Sequence, residues 1–337
     1  MPVSQTKQTT LRDVAELAGV SYQTVWRVVN ERPNVAEHTR TRVLRAVREL
    51  DYHPPRTVEA ETTGRSYILQ IVTFEHGYGD PLPSLLRWAR ELGYAAIVTE
   101  LRDPSSQQAV REILDETGHM VDGLLMVMPY PHLCYERLVD VCHGRPFVVS
   151  NTELGAKMPS VVFDQRHGTR LALGHLHALG HRQIAEISGP LENFDARVRH
   201  ETWQATLREW GLTPGPWVVG DFEVPSGYEA AKQLLRTRQP FTALLAGNDR
   251  MALGAIRALR DAGLRVPDDV SVVGFDDVEE SAFFDPPLTT VRQDFDMLGR
   301  ECVNYLVSLI EDPNTPLQQR VLYPELVVRN SAQKCLI

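Results

Sequence analysis

The sequence encodes an N-terminal all-α head of three short helices ahead of a two-lobed α/β core with parallel sheets. Three observations carry that expectation. Residues 10–50 hold short apolar stripes at helical spacing, bounded by capping residues, glycine and proline. From Tyr67 onward, short apolar runs alternate with amphipathic stretches, the strand–helix alternation of a parallel sheet covered on both faces. That alternation comes in two halves, so two lobes would face each other across a cleft at their strand ends.

The head is the stretch TLRDVAELAGVSYQTVWRVVN, Thr10–Asn30. Thr10 is placed to cap a first helix, and Asp13 three positions later completes a capping box. Leu11, Val14, Ala15, Leu17 and Ala18 give that helix an apolar stripe. Gly19 breaks it, and Ser21 caps a second helix whose Val25, Val28 and Val29 point back at the first. Tyr22, Gln23 and Arg27 are left facing outward. This is a helix-turn-helix pattern, and such modules read the major groove with those positions. The bland alternative is a helical hairpin that only packs. A third helix spans roughly Glu37–Leu50, with Val43, Ala46, Val47 and Leu50 inward. Arg40, Arg42, Arg45 and Arg48 surround it, and some can reach phosphate oxygens. Pro54 and Pro55 end it. The connector PPRTVEAETTGR at 54–65 is polar, with no core of its own.

The core then runs YILQIVTF, LLRWARELGY, AAIVTE, SQQAVREILDET, VDGLLMVM, YERLVDVC and PFVVSN. It resumes with TRLALGHLHALG, QIAEISG, RHETWQATLREWG, WVVGDF, GYEAAKQLLRT, FTALLAGND, ALGAIRALRDAG and VSVVGFDD. ECVNYLVSLIED and VLYPELVVRN supply one more helix and one more strand.

At 337 residues and 43% hydrophobic, the chain can bury one large core or two medium ones besides the head. No export signal is read ahead of Thr10, and no apolar run approaches membrane-spanning length. Cys134, Cys142, Cys302 and Cys335 lack metal-site spacing and read as ordinary thiols of a reducing cytoplasm. In HLHALGH at 175–181, His175 and His177 do not share a helix face, so they read as helix-surface histidines rather than metal ligands. Residues 1–56 hold nine Lys/Arg and six Asp/Glu, a net of +3, within a chain of net charge −9. The remaining residues, 57–337, therefore carry −12. Positive charge confined to the head suits phosphate contacts that weaken with salt. No GxGxxG follows the first strand and no phosphate-binding GxxxxGK[ST] occurs, so neither nucleotide signature is present.

The strings DVAELAGVSYQTVWRVVN, HGTR at 167–170, GPLENFDARVR at 189–199 and NDRMALGAIRA at 248–258 are specific. So are GLRVPDDVSVVGFDDVE at 263–279 and PPLTTVRQDFDMLG at 286–299. In order and spacing they resemble the LacI/GalR family of bacterial transcriptional repressors over essentially the whole chain. The resemblance implies a DNA-binding head at 8–55 and a hinge or connector at 56–66. It implies a periplasmic-binding-protein-like, effector-binding and dimerising core at 67–330, with a short tail at 331–337. The implied protein is a cytoplasmic homodimer without cofactor or metal. It binds double-stranded operator DNA and is released by a small sugar, a galactoside being expected, with induction expected over co-repression. A different sugar or a purine effector, with co-repressor logic, is the alternative. A sugar-processing enzyme and a transport-type sugar-binding protein are more remote.

By the same resemblance, Tyr22 and Gln23 occupy the base-contacting start of the recognition helix and Arg27 a third specificity position. Gln can bond an adenine edge twice, and Arg a guanine edge. Ser21, Thr24 and Arg56 complete the expected DNA-binding set. Trp26 is expected to pack into the head rather than stack on sugar-phosphate. Glu61 stands where the family's hinge helix carries a minor-groove leucine wedge. A carboxylate cannot serve as that wedge, and Glu59 adds to the repulsion.

The expected effector residues are Arg197, Asn248, Asp276, Asn151, Phe222, Phe295, Gln293, Phe74 and Leu298. Arg197 and Asn248 would clamp hydroxyls, with Asp276 accepting from two of them. Phe222 would face the C–H side of a sugar ring. Phe295, Gln293 and Leu298 would complete the wall, and Phe74 and Val127 would shape the opposite end. Asp249 and Asp277 read as helix caps.

Overall fold

The computed structural model describes residues 10–29, 35–50, 52, 65–74, 81–101, 120–127, 138–140, 142–150 and 152–335. The side chains of Leu11, Trp26 and Phe74 lie outside the described set, as do Glu59, Glu61 and Cys134. The chain divides into two compact units, Met1–Tyr67 and Ile68–Ile337.

In the first unit, α1 (Leu11–Ala18), α2 (Tyr22–Val29) and α3 (Glu37–Glu49) follow the predicted helices. The capping box forms: the Asp13 amide donates to Thr10 Oγ1, and the Thr10 amide donates to Asp13 Oδ2 at 2.7 Å. Gly19, at φ 60°, closes α1 in the left-handed region and donates to the carbonyls of Ala15 and Glu16. Val14, Val25 and Val43 are fully buried and Val28, Ala46 and Tyr52 nearly so, giving the three helices one core. Leu17 departs from the expected stripe and is 47% exposed. At about 100° per residue it lies well off the centre line that Val14, Ala15 and Ala18 define.

The second unit contains two six-stranded sheets among the described residues. The first has the order β11-β5-β4-β3-β1-β2. Its strands are β1 (Ile68–Phe74), β2 (Ala95–Leu101), β3 (Gly123–Val127), β4 (Phe147–Ser150), β5 (Ser160–Phe163) and β11 (Gln319–Leu322), all paired in parallel. The second has the order β12-β10-β9-β8-β6-β7. It comprises β6 (Ile184–Ser188), β7 (Trp217–Val219), β8 (Ala243–Ala246), β9 (Ser271–Asp276), β10 (Thr289–Arg292) and β12 (Glu325–Val327). Only β12 runs antiparallel, against β10.

Helices α4 (Leu82–Glu91) and α9 (Phe295–Glu311) pack with the first sheet. The second sheet is covered on one face by α5 (Gln165–Ala178) and α6 (Phe194–Glu209). Its other face carries α7 (Val224–Arg236) and α8 (Asp249–Asp261). Strand alternation explains both layers. Leu244 and Val272 enter the α7–α8 cluster, while their neighbours Leu245 and Val273 enter the α5–α6 cluster.

The C-terminal part differs from expectation. VLYPELVVRN divides at Tyr323-Pro324 into β11 and β12, which belong to different sheets. Proline lacks the N–H that a ladder needs, so a strand breaks there. Strands β5 and β10 add to the predicted set. The residues after Asn330, expected as a short tail, dock on β9. Val272 N donates to the Ser331 carbonyl at 2.7 Å, and Ser331 Oγ donates to the Val272 carbonyl at 2.6 Å. His175 and His177 are half-buried rather than surface groups, and burial pulls His175 below the usual imidazole range.

The chain passes between the sheets three times: from β5 into α5, from β10 into α9, and from β11 into β12.

Candidate recognition helix and effector cleft

In the head, Ser21 Oγ accepts from the Thr24 amide at 3.2 Å and lies 2.9 Å from Thr24 Oγ1. These two residues therefore build the start of α2. Tyr22, Gln23 and Arg27 are exposed on it, with Tyr22 48% accessible. Arg42, Arg45 and Arg48 are exposed on α3 and Arg40 is half-exposed. Arg56 lies outside the described residues.

In the core, β9 ends at Asp276, whose φ is 108°, followed by Asp277 at 58°. Two successive non-glycine residues at positive φ need outside support. Asp277 supplies it: its carboxylate accepts from Arg292 Nε at 2.7 Å and from Arg329 Nη2 at 2.6 Å. Burial raises the Asp277 carboxyl, but those two arginines outweigh it and leave it below its ordinary value. The turn aims Asp276 inward, 4% exposed, where Oδ1 accepts from Gln293 Nε2 at 2.7 Å.

The arginine beside Asp276 is Arg199, not Arg197. Arg199 Nη1 stands 3.8 Å from Asp276 Oδ1, and its guanidinium lies 3.8 Å from the Phe275 ring centre. Its Nη1 also donates to the Gly247 carbonyl at 2.6 Å, and its Nε to Gln165 Oε1 at 2.9 Å. Gln165 Nε2 in turn donates to Gln293 Oε1 at 2.8 Å. Arg199, Gln165, Gln293 and Asp276 thus form a closed buried ring. Arg197 is half-buried, its guanidinium 5.6 Å from the Phe194 ring. It lines a separate part of the lobe interface, a cavity of about 340 Å³ with Thr152, Glu153, Phe163, Arg166 and Glu201. Arg197 and Arg199 lie some 200° apart around α6, so only one can face Asp276. The string DARVR contained both, and the face of α6 that meets β9 selects the second.

Burial pushes Asp276 up to about 7, against the opposing pull of Arg199 and Gln293, with Asp195 adding to the rise. Asp249 is pushed up to about 8 by burial and by the Asp276 charge. Asp249 is not a cap. It is fully buried, accepts from Thr290 Oγ1 at 2.5 Å and from the Val278 amide at 2.9 Å, and so ties α8 to β10 and to the chain after β9.

The cap of α8 is Asn248. Its Oδ1 accepts from the Met251 amide at 2.8 Å, and its Nδ2 donates to the Phe222 carbonyl at 2.9 Å. Phe222 has φ 72°, and its ring lies so close to Gly189 that a Cβ there would come within 2.3 Å. Phe295 meets Phe163 edge-on at 5.6 Å, and Leu298 and Val127 are buried. Asn151 and the Phe74 side chain lie outside the described residues. Gln165, Arg199 and Asp195 were not anticipated.

Among the described residues no group of three His, Cys, Asp or Glu side chains could hold a metal ion, and no helix is long and apolar enough to cross a membrane. Burial pushes the Cys142 thiol up to about 12 and raises that of Cys302, so both are poor nucleophiles.

Residues 10–55 match the family model of bacterial regulatory proteins, lacI family, and residues 173–332 match a periplasmic binding protein-like domain. The lactose operon repressor of Escherichia coli K12 is 36% identical over 306 residues, covering 90% of this chain and 85% of that protein. The HTH-type transcriptional repressor PurR of Haemophilus influenzae is 36% identical over 337 residues, covering 97% and 99%. A crystal structure of the lac repressor dimer bound to operator and the anti-inducer ONPF superposes with a TM-score of 0.85 at 36% identity, over 97% of this chain and all of that one. A helix-turn-helix head, a two-lobed core and matches of this extent place the chain in the LacI/GalR family of bacterial transcriptional repressors.

Proposed function

We propose that the chain binds double-stranded operator DNA as a homodimer and that a small polyhydroxylated ligand in the core changes that binding. Tyr22, Gln23 and Arg27 read base edges, Ser21 and Thr24 shape the helix start, and Arg56 serves the connector. The exposed arginines of α3 meet phosphates. The observation that carries the effector half is the Arg199–Asp276 pair. Arg199 Nη2 and Asp276 Oδ2 have no hydrogen-bond partner among the described residues, so a donor and an acceptor are offered side by side. Adjacent ring hydroxyls satisfy both at once. Phe222, Phe295, Gln293 and Leu298 form the surrounding wall, Asn248 holds the Phe222 loop, and Arg197 lines the adjoining cavity.

A galactoside is one such ligand. Equal 36% identity to the lactose operon repressor and to PurR gives it no preference over another sugar or a purine. The Asp276 carboxyl, raised by burial, can also meet the polar edge of a purine.

The test is fluorescence anisotropy on a panel of palindromic operators at fixed salt, with methyl β-galactoside, ribose, cellobiose or hypoxanthine added in turn. Sequence-dependent binding that one ligand weakens supports an inducible repressor. Strengthening by a ligand indicates co-repression. Absence of sequence-dependent binding on every palindrome would sink the reading.

A further inference from the structure

Helix α6, which carries Arg199, buries residues on most of its circumference: Phe194, Ala196, Val198, Arg199, His200, Thr202, Trp203, Thr206 and Leu207. An apolar stripe therefore does not set its rotation. Polar anchors do. One is Arg199 on the Gly247 carbonyl. The other faces β6, where His200 Nδ1 lies 2.5 Å from Glu186 Oε2, with the two side chains 9% and 3% exposed.

This second anchor has a defined polarity. Arg208 Nη2 donates to Gln204 Oε1 at 3.0 Å, which leaves Gln204 Nε2 to donate to His200 Nε2 at 2.9 Å. With Nε2 accepting, the imidazole is neutral and carries its proton on Nδ1, directed at the Glu186 carboxylate. The relay runs Arg208, Gln204, His200, Glu186, inward from the exposed helix face.

We propose that Glu186 and His200 are positioning residues for Arg199, fixing the rotation of α6, and that uptake of one further proton by the pair releases that hold. The proposal rests on the reading of Arg199 and Asp276 as the effector-reading groups. A second proton on His200, or on Glu186 Oε2 where it faces Nδ1, puts a hydrogen on His200 Nε2. Gln204 must then turn its carbonyl to the ring, and Arg208 loses its acceptor. The groups around the imidazole are few. Glu186 faces it from β6, Trp217 from β7 at 4.3 Å, and Trp203 from α6 itself at 5.7 Å. On α5, packed along α6, Arg170 is engaged with Glu209 at 2.8 Å, so it does not serve the pair.

The experiment follows the Arg199 Nε–H cross-peak of the ¹⁵N-arginine-labelled full chain from about pH 5 to about pH 8, the range in which histidine charge changes. The peak is assigned by its loss in Arg199→Lys. An Asp195→Asn/Asp276→Asn background removes the titration of the two carboxyls beside Arg199. There the peak is expected to move with the midpoint at which the His200 ring nitrogens titrate. That movement should vanish in Glu186→Leu/His200→Leu and change midpoint in Gln204→Leu, which alters only the half-buried link and covers a folding failure of the double variant. A peak indifferent to pH, or one that titrates identically in the variants, overturns the proposal. Adding the four ligands above to the wild-type chain is a separate arm. If none moves the peak while its pH response persists, the effector reading fails and the positioning role stands.

Discussion

Gln165 donates its side-chain amide to the Gln293 carbonyl across 2.8 Å; Gln293 directly follows β10 and Gln165 opens α5 two residues after β5, so both stand where the chain crosses between the two sheets. The same two side chains hold Arg199 and Asp276 at their other ends. The groups proposed to read the ligand and two of the three segments that join the lobes are thus bonded to one another. A ligand bonded to Asp276 would act on the β10–α9 crossing through Gln293 and, one hydrogen bond further, on the β5–α5 crossing through Gln165.

Replacing Gln165 by leucine leaves Arg199 Nε and Gln293 Oε1 buried without partners. Stability is expected to fall by about 1–3 kcal/mol. Urea unfolding checks this, and an unchanged midpoint would show that the ring contributes nothing net.

Burial pushes Asp276 up to about 7. Ligand hydroxyls donating to its carboxylate favour the anion, so effector affinity should rise as pH increases through about 7 and binding should release protons. Calorimetry in buffers of different ionisation enthalpy measures that release. Asp276→Asn should abolish it and weaken binding by about 1.5–3 kcal/mol, the range for a hydrogen bond to a charged group.

Asp249, pushed up to about 8, binds its proton more tightly folded than unfolded. Its contribution is fully present below the ordinary aspartate range and is lost as pH rises through about 8. Urea midpoints should therefore decline from acid toward pH 8, and Asp249→Asn should flatten that decline. A wild-type profile that rises over this interval would contradict the assignment.

Gly189→Ala would place a methyl within 2.3 Å of the Phe222 ring. The ring must move, and Ala196 Cβ on α6, 3.0 Å away, must give slightly. The ligand concentration needed to alter operator binding should rise, with operator affinity in the absence of ligand unchanged. Anisotropy titrations with and without ligand separate the two.

In the head, Gln23→Ala and Arg27→Ala should each cost about 1–3 kcal/mol of discrimination at one operator position. Arg45→Ala should instead weaken binding evenly across sequences and shallow the salt dependence.

The head was legible from its own residues. Capping box, glycine stop and valine spacing involve groups no more than a few positions apart, and among the described residues it is Leu17 that departs from the expected stripe. The strand–helix alternation likewise disclosed a two-lobed parallel core, because period-2 and period-3.6 patterns are local. Motif order named Asp276 and Gln293, which the structure brings together at 2.7 Å. It did not separate Arg197 from Arg199, give Asn248 its cap, bury Asp249, or divide the last strand between two sheets. Those outcomes depend on which strand ends converge and which face of α6 meets them, set by a sheet order joining residues more than a hundred positions apart. Charge and hydrogen-bond partners in a buried ring follow from that convergence, and no local pattern carries it.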